Sequence, residues 1–215
     1  ILDDDIRAVL CPDKLSTSLW LAIVEAAHIR GLRTTVTIMF GHIDGPEHWA
    51  RHLLHIRDLQ VRTGGFTEFV PLPFVHMEAP LYLRGRARKG PTFREAVLMH
   101  AVARLVLHPV VPNIQTSWVK LGPDGAAACL ASGCNDLGGT LMNESISRAA
   151  GSEHGQELPP ERMDALIGSL HRAPRQRTTL YGDVPPGRRR AGYDAPELQP
   201  LVVTPAGRVQ AAATV

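Results

Sequence analysis

Asn113-Ile-Gln-Thr-Ser-Trp-Val-Lys-Leu-Gly122 and Gly133-Cys-Asn-Asp-Leu-Gly-Gly139, with a run of small residues between them, read as strand, helix, strand. Asn113 to Trp118 has strand composition with polar side chains embedded in it. Asp124 to Ser132 reads as a short helix, and Cys134 to Leu137 as the next strand. Consecutive strands joined through a helix run parallel. In a parallel α/β domain ligands gather at the carboxyl ends of the strands. Gln115, Ser117, Trp118, Lys120, Asn135 and Asp136 are therefore the first candidates for a binding site.

The same alternation extends upstream. Ser16 is an N-cap for Leu19, Trp20, Ile23, Val24 and Ala27 at helical spacing, and Gly31 is the stop. Thr34-Thr-Val-Thr-Ile-Met-Phe40 is β-branched and short, which predicts a strand. Asp44 and Pro46 open a helix to about Arg62, and Gly64-Gly65 breaks it. Phe66 to Leu72 predicts a second strand ended by Pro71 and Pro73, which donate nothing to a ladder. A long basic loop from His76 to Pro91 has the makings of a lid. Thr92-Phe-Arg-Glu95 is a capping box for a helix to about His108. Further helices are predicted near Leu141–Ala149 and Pro160–His171. Fold class is thus α/β, parallel strands with crossover helices, in residues 1–182. From 183 to 215 Pro, Gly, Arg and Ala dominate without periodicity, which predicts a poorly ordered tail.

The 215 residues carry a net charge of only +2, with basic residues scattered until Arg188-Arg189-Arg190, so no nucleic-acid groove is indicated. Three cysteines, Cys11, Cys129 and Cys134, fit reduced thiols in a cytoplasmic protein rather than a disulfide framework or a zinc ribbon. No apolar run reaches about 18 residues, and neither a membrane span nor a signal peptide is read. The opening Ile1-Leu2, without a methionine, looks cut from something longer.

Four constellations carry possible chemistry. His42 with Asp44, directly after a strand, suits an acid–base or donor role at a strand end; a loop histidine and a helix cap account for them equally well. Glu68 lies inside a strand on the face of Phe66 and Val70, where an acid must be paired or bind something. A buried salt bridge, for instance with Lys120, is the plainer account. His48, His52 and His55 share a helical spacing suited to zinc, but the helix lacks the Glu of a His-Glu-x-x-His site, and no metal site is assigned. In the opening stretch, Lys120 and Asp136 serve as charged anchors, Gln115 and Asn135 as amide readers of a heterocycle, and Trp118 as a stacking wall. Gly138-Gly139 permits either backbone approach to an anion or a simple turn. Asn143-Glu-Ser145 matches a glycosylation sequon that a cytoplasmic location makes accidental.

Thr-Ile-Met-Phe-Gly-His-Ile-Asp (37–44), Arg-Thr-Gly-Gly-Phe-Thr-Glu-Phe-Val-Pro-Leu-Pro-Phe (62–74), Asn-Ile-Gln-Thr-Ser-Trp-Val-Lys-Leu-Gly (113–122), Asn-Asp-Leu-Gly-Gly-Thr-Leu (135–141) and Ala-Gly-Ser-Glu-His-Gly (150–155) resemble, in this order, the CofH half of FO synthase. These are radical S-adenosylmethionine (SAM) enzymes of deazaflavin biosynthesis; the enzymes of the futalosine route to menaquinone are more distant look-alikes. The resemblance implies a TIM-like barrel, a 4Fe-4S cluster on a Cys-x3-Cys-x2-Cys loop, and cleavage of SAM to a radical. That radical attacks L-tyrosine, and the hydroxybenzyl fragment joins 5-amino-6-(D-ribitylamino)uracil.

No Cys-x3-Cys-x2-Cys occurs here, so the expectation is the C-terminal half of such a barrel, with the tail as a natural C-terminus and the cluster ligands on the missing N-terminal half. The resemblance places Gly41, His42, Asp44, Pro71 and Phe74 at the SAM site, and Glu68, Gln115, Ser117, Trp118, Lys120, Asn135 and Asp136 against tyrosine or the uracil. A non-catalytic half-barrel that needs a partner chain and a metal-dependent hydrolase barrel are the competing expectations.

Overall fold

Short capped helices lead into a β-branched strand and then into alternating helix and strand. The computed structural model describes residues 1–141 and 144–199. The first helix, α1 (Asp4–Leu10), is capped by Asp3, and α2 (Thr17–Ile29) by Ser16. β1 (Thr34–Phe40), α3 (Pro46–Thr63) and β2 (Phe66–Pro73) follow, then α4 (Pro80–Leu83) and α5 (Phe93–Leu107). The Thr92–Glu95 capping box forms as its sequence predicts, Glu95 N–H donating to Thr92 Oγ1 and Thr92 N–H to Glu95 Oε2. α6 (Trp118–Ala131), α7 (Ile146–Ala149), α8 (Pro160–Ser169) and α9 (Pro186–Tyr193) complete the chain order.

β1 and β2 pair in parallel, Ile38 opposite Pro71 and Phe40 opposite Pro73. The sheet then continues sideways through single parallel bridges, Phe69 with Ile114 and Gln115 with Asp136. Lateral order therefore follows chain order, with α3, α5 and α6 as the crossovers. Val36, Ile38, Phe40, Phe69 and Ile114 are buried against those helices with Leu53, Ile56, Met99, Ala103 and Leu130. The opposite face is not covered by helices: Thr35, Thr37 and Met39 alternate with the core residues of β1 and are exposed.

Several local expectations are corrected. Asn113–Trp118 and Cys134–Leu137 shrink from strands to single bridges, because Ser117 is already an N-cap and Trp118 the first residue of a helix. That helix is interrupted at Gly122, whose φ is 70°. β2 passes through Pro71 and does not stop there. The amide of Phe69 points away from β1 to Asn113 O, and by alternation positions 71 and 73 face the same way, where the neighbouring segment has turned into α6; proline there forfeits no bond. The helix near Leu141–Ala149 is reduced to α7, and Asn143 of the sequon lies outside the described residues. Within the predicted tail, Pro186 at the first turn starts α9, which is tied to α8 by Tyr193 O–H donating to Asp164 Oδ2 at 2.7 Å; residues 200–215 lie outside the described residues.

Candidate functional site at the strand ends and on the open face

The ends of β1 and β2 are shaped by Gly41 to Asp44. Gly41 has φ 89°, and a Cβ there would sit 2.3 Å from Pro91 Cδ, so the bend demands glycine. The Asp44 carboxylate accepts from Gly41 N–H at 2.9 Å, His42 N–H at 2.7 Å and the Trp49 indole. Burial alone would raise its pKa, but the bond and charge of His42, with Gly41 and Trp49, hold it well below the usual carboxylate range. His42 is equally enclosed, its Nδ1 2.9 Å from Asp44 Oδ1 and its Nε2 3.2 Å from Met39 O. Both residues thus fix the loop from inside. The 76–91 loop lies over them, Arg88 N–H donating to His42 O at 2.9 Å. Of the five residues assigned to SAM, Phe74 lines a cleft, while Pro71 shares the helix-facing side of β2 with Phe69.

That cleft, of about 260 Å³, lies beyond β2 and is lined by Phe74, His76, Met77, Lys120, Glu153 and His154 among others. Gly151, with φ 102°, closes its wall against Met77, where a Cβ would approach to 2.6 Å. Lys120 is half-buried, and burial lowers its ammonium pKa against the opposing pull of Glu144. Such a group suits an anion or a proton-transfer partner. His76, Glu153 and His154 had no assigned role from sequence; Ala150–Gly155 was a matching motif without one.

The second arrangement lies on the open face. Thr35 Oγ1 donates to Glu68 Oε1, while Glu68 Oε2 is buried with no hydrogen-bond partner. Beside it the Asp136 carboxylate accepts from Gly138 N–H at 2.9 Å, from Arg177 Nη2 at 2.5 Å, from Gln115 Nε2 at 3.5 Å and from the Tyr181 hydroxyl. The Arg177 guanidinium stacks 4.1 Å from the Tyr181 ring centre. Burial works against its charge, yet Asp136, Tyr181 and Glu68 raise its pKa. Burial and the bond to Asp136 push the Tyr181 phenol up as well. Arg177 and Tyr181 arrive from a hairpin closed by the Arg177–Asp183 bridge. They lie 41 and 45 residues beyond Asp136, so no local sequence pattern announces them.

The remaining candidates stand apart. Asn135 is spent in a clamp, Oδ1 accepting from Arg104 Nη2 at 2.6 Å and Ile114 N–H at 2.9 Å. Trp118 is a core side chain, 1 % exposed, with its indole N–H on Gly139 O, not a stacking wall. Ser117 is a half-buried N-cap whose hydroxyl makes no capping bond. His48 Nδ1 accepts from Gly45 N–H and His52 Nδ1 from Leu2 N–H, two separate structural tasks. Among the described residues no group of three His, Cys, Asp or Glu is arranged to hold a metal ion, and no helix is long and apolar enough to cross a membrane.

Sequence comparison shows the kinship. The chain is 52% identical over 206 residues to FO synthase of Streptomyces coelicolor, covering 94% of this chain and 24% of that protein. It is 56% identical over 181 residues to FO synthase of Mycobacterium tuberculosis strain H37Rv, covering 84% of this chain and 21% of the relative. The 5-amino-6-(D-ribitylamino)uracil–L-tyrosine 4-hydroxyphenyl transferase of Methanothermobacter thermautotrophicus is 50% identical over 184 residues, 86% of this chain and half of that protein. The chain therefore spans from about a fifth to half the length of these relatives. Residues 63–185, which include the cleft lining and Glu68, Asp136, Arg177 and Tyr181, match the family described as the CofH/MqnC C-terminal region, and the chain belongs to that family.

Proposed function

We propose that this chain is the C-terminal part of a radical SAM transferase that joins a tyrosine-derived hydroxybenzyl group to 5-amino-6-(D-ribitylamino)uracil in deazaflavin biosynthesis. The observation that carries the reading is the identity of 50% or more to FO synthases and the tyrosine transferase over most of the chain. The fold supports it: parallel segments in chain order, helices on one face only, and an open face bearing Thr37, Glu68, Gln115 and Asp136. That is how consecutive strands of a barrel look when their interior is uncovered. In this reading residues 1–182 are the last strands and helices of a TIM-like barrel, and the outer edge of β1, unpaired among the described residues, joins the strands that precede it.

The 4Fe-4S cluster does not fit this chain. Burial pushes the Cys129 and Cys134 thiols up, opposite to what a thiolate ligand needs, so the cluster belongs to the remainder of the protein. SAM fits only in part. Phe74 offers an apolar wall beside the cleft, while His42 and Asp44 shape the loop behind it, so no reaction step is assigned through either group. The tasks left to this chain are to hold substrates at the strand ends, to position a cation at Lys120 and to exclude water with the 76–91 loop. A cytoplasmic location accompanies this reading.

Two further readings stay narrower. The family description also covers MqnC, which keeps a futalosine-pathway enzyme as the alternative chemistry; a non-catalytic half-barrel is the alternative without chemistry. Anaerobic incubation of the full-length protein with ring-labelled tyrosine, 5-amino-6-(D-ribitylamino)uracil, SAM and a reductant separates them. Transfer of the labelled hydroxybenzyl group to the pyrimidine is expected. SAM consumption without that transfer refutes the proposal.

A further inference from the structure

Four side chains on the open face, Glu68, Asp136, Arg177 and Tyr181, form a polar cluster far from the cleft. The hairpin that delivers Arg177 and Tyr181 is anchored by Arg172, whose Nη1 donates to Leu130 O at 2.9 Å and Cys134 O at 2.8 Å. Those carbonyls close α6 and begin the segment leading to Asp136, so the hairpin enters from the amino ends of the strands, opposite the cleft. Glu68 lies five residues before Pro73, a depth of roughly 16 Å at about 3.3 Å per residue. A ligand reaching down the open face from the strand ends would meet this cluster as a floor.

The cluster's bonding is incomplete in a specific way. Glu68, 6% exposed, leaves Oε2 without a donor, and Arg177 leaves its buried Nε–H without an acceptor. Buried polar groups ordinarily find partners. A single partner that served both atoms would have to donate and accept. A carboxylate only accepts, and an ammonium only donates; a hydroxyl does both. Two carboxylates against one guanidinium further disfavour an anionic ligand.

We infer that Glu68, Arg177, Asp136 and Tyr181 form a polyol-binding floor that takes the ribityl chain of the pyrimidine substrate, with the heterocycle above it on the side of the strand ends. This rests on the transferase reading above. Of the two substrates, the pyrimidine is the one that carries a row of hydroxyls. Glu68 Oε2 accepts from one chain hydroxyl, and the Arg177 Nε–H donates to the same or the next. Tyr181 and Gln115 act as positioning residues by holding Asp136.

The test is equilibrium binding to the full-length enzyme, under anaerobic conditions, of 5-amino-6-(D-ribitylamino)uracil and of 5-amino-6-(pentylamino)uracil, which lacks the hydroxyls. The wild type is expected to prefer the ribityl compound by about tenfold or more, the scale of one or two charge-assisted hydrogen bonds. Glu68→Gln is expected to shrink that preference to about twofold while the pentyl compound and L-tyrosine bind as before. Tyr181→Phe, which keeps the packing, should erode it by a smaller factor. Equal weakening of both pyrimidines in both variants, or an undiminished ribityl preference, overturns the inference and leaves the cluster a structural one. A wild type that forms no hydroxybenzyl product overturns the transferase reading first, so the two failures are distinguishable.

Discussion

The two faces of the sheet are built by opposite rules. On the helix-packed face Val36, Ile38, Phe40, Phe69 and Ile114 are each 1% exposed or less. On the open face the intervening residues are threonines, a methionine and charged groups bonded to one another. The first face holds the fold by burying apolar area. The second contributes little to stability and keeps its polar atoms for something else, which is the pattern expected where a fold supports a site.

Substitutions should separate the faces. Phe69→Ala removes a fully buried ring and is expected to cost about 3–5 kcal/mol by urea denaturation; a loss under about 1 kcal/mol would mean that this face is not the core. Acid should act on the same face. His100 donates Nδ1–H to Ala96 O, and burial lowers its pKa to about 4 from an ordinary 6.5. The unfolded chain then binds a proton that the folded chain refuses. The stability owed to neutral His100 is fully present above about pH 6.5 and is lost progressively as pH falls towards 4, by roughly 3 kcal/mol in all. His52, lowered in the same direction by burial, adds to that loss. Denaturation midpoints that stay level from pH 7 to 4.5 would contradict it. On the open face, Met39→Gln should change stability by no more than about 0.5 kcal/mol, while product formation by the full-length enzyme falls.

The helix-packed face is also the legible one. β-Branched composition gives β1 directly, Ser16 and the Thr92–Glu95 box give the starts of α2 and α5, and each is a local signal that packing reinforces. The site was legible in position more than in role. His42 and Asp44 stand at the strand end as their spacing suggests, but Asp44 reaches back to the N–H groups of Gly41 and His42 and so bonds its own loop. Trp118 changed roles because it is the first residue of α6 and its side chain enters the core, and Asn135 because its amide oxygen accepts from Arg104 and from Ile114 N–H. Arg177 and Tyr181 were illegible for a simpler reason. Their partner is 41 to 45 residues away, and only the return of the chain after α8 brings them to Asp136.

If the open face is the interior of a larger barrel, the outer edge of β1 is paired in the full-length protein. Amide hydrogen exchange of residues 34–40 in the full-length protein reports whether that edge is paired. The β1 amides pointing away from β2 are expected to exchange as slowly as those of β2, because in the barrel reading another strand covers them. Outward β1 amides that exchange at the rate of a free edge, while β2 stays protected, would contradict it.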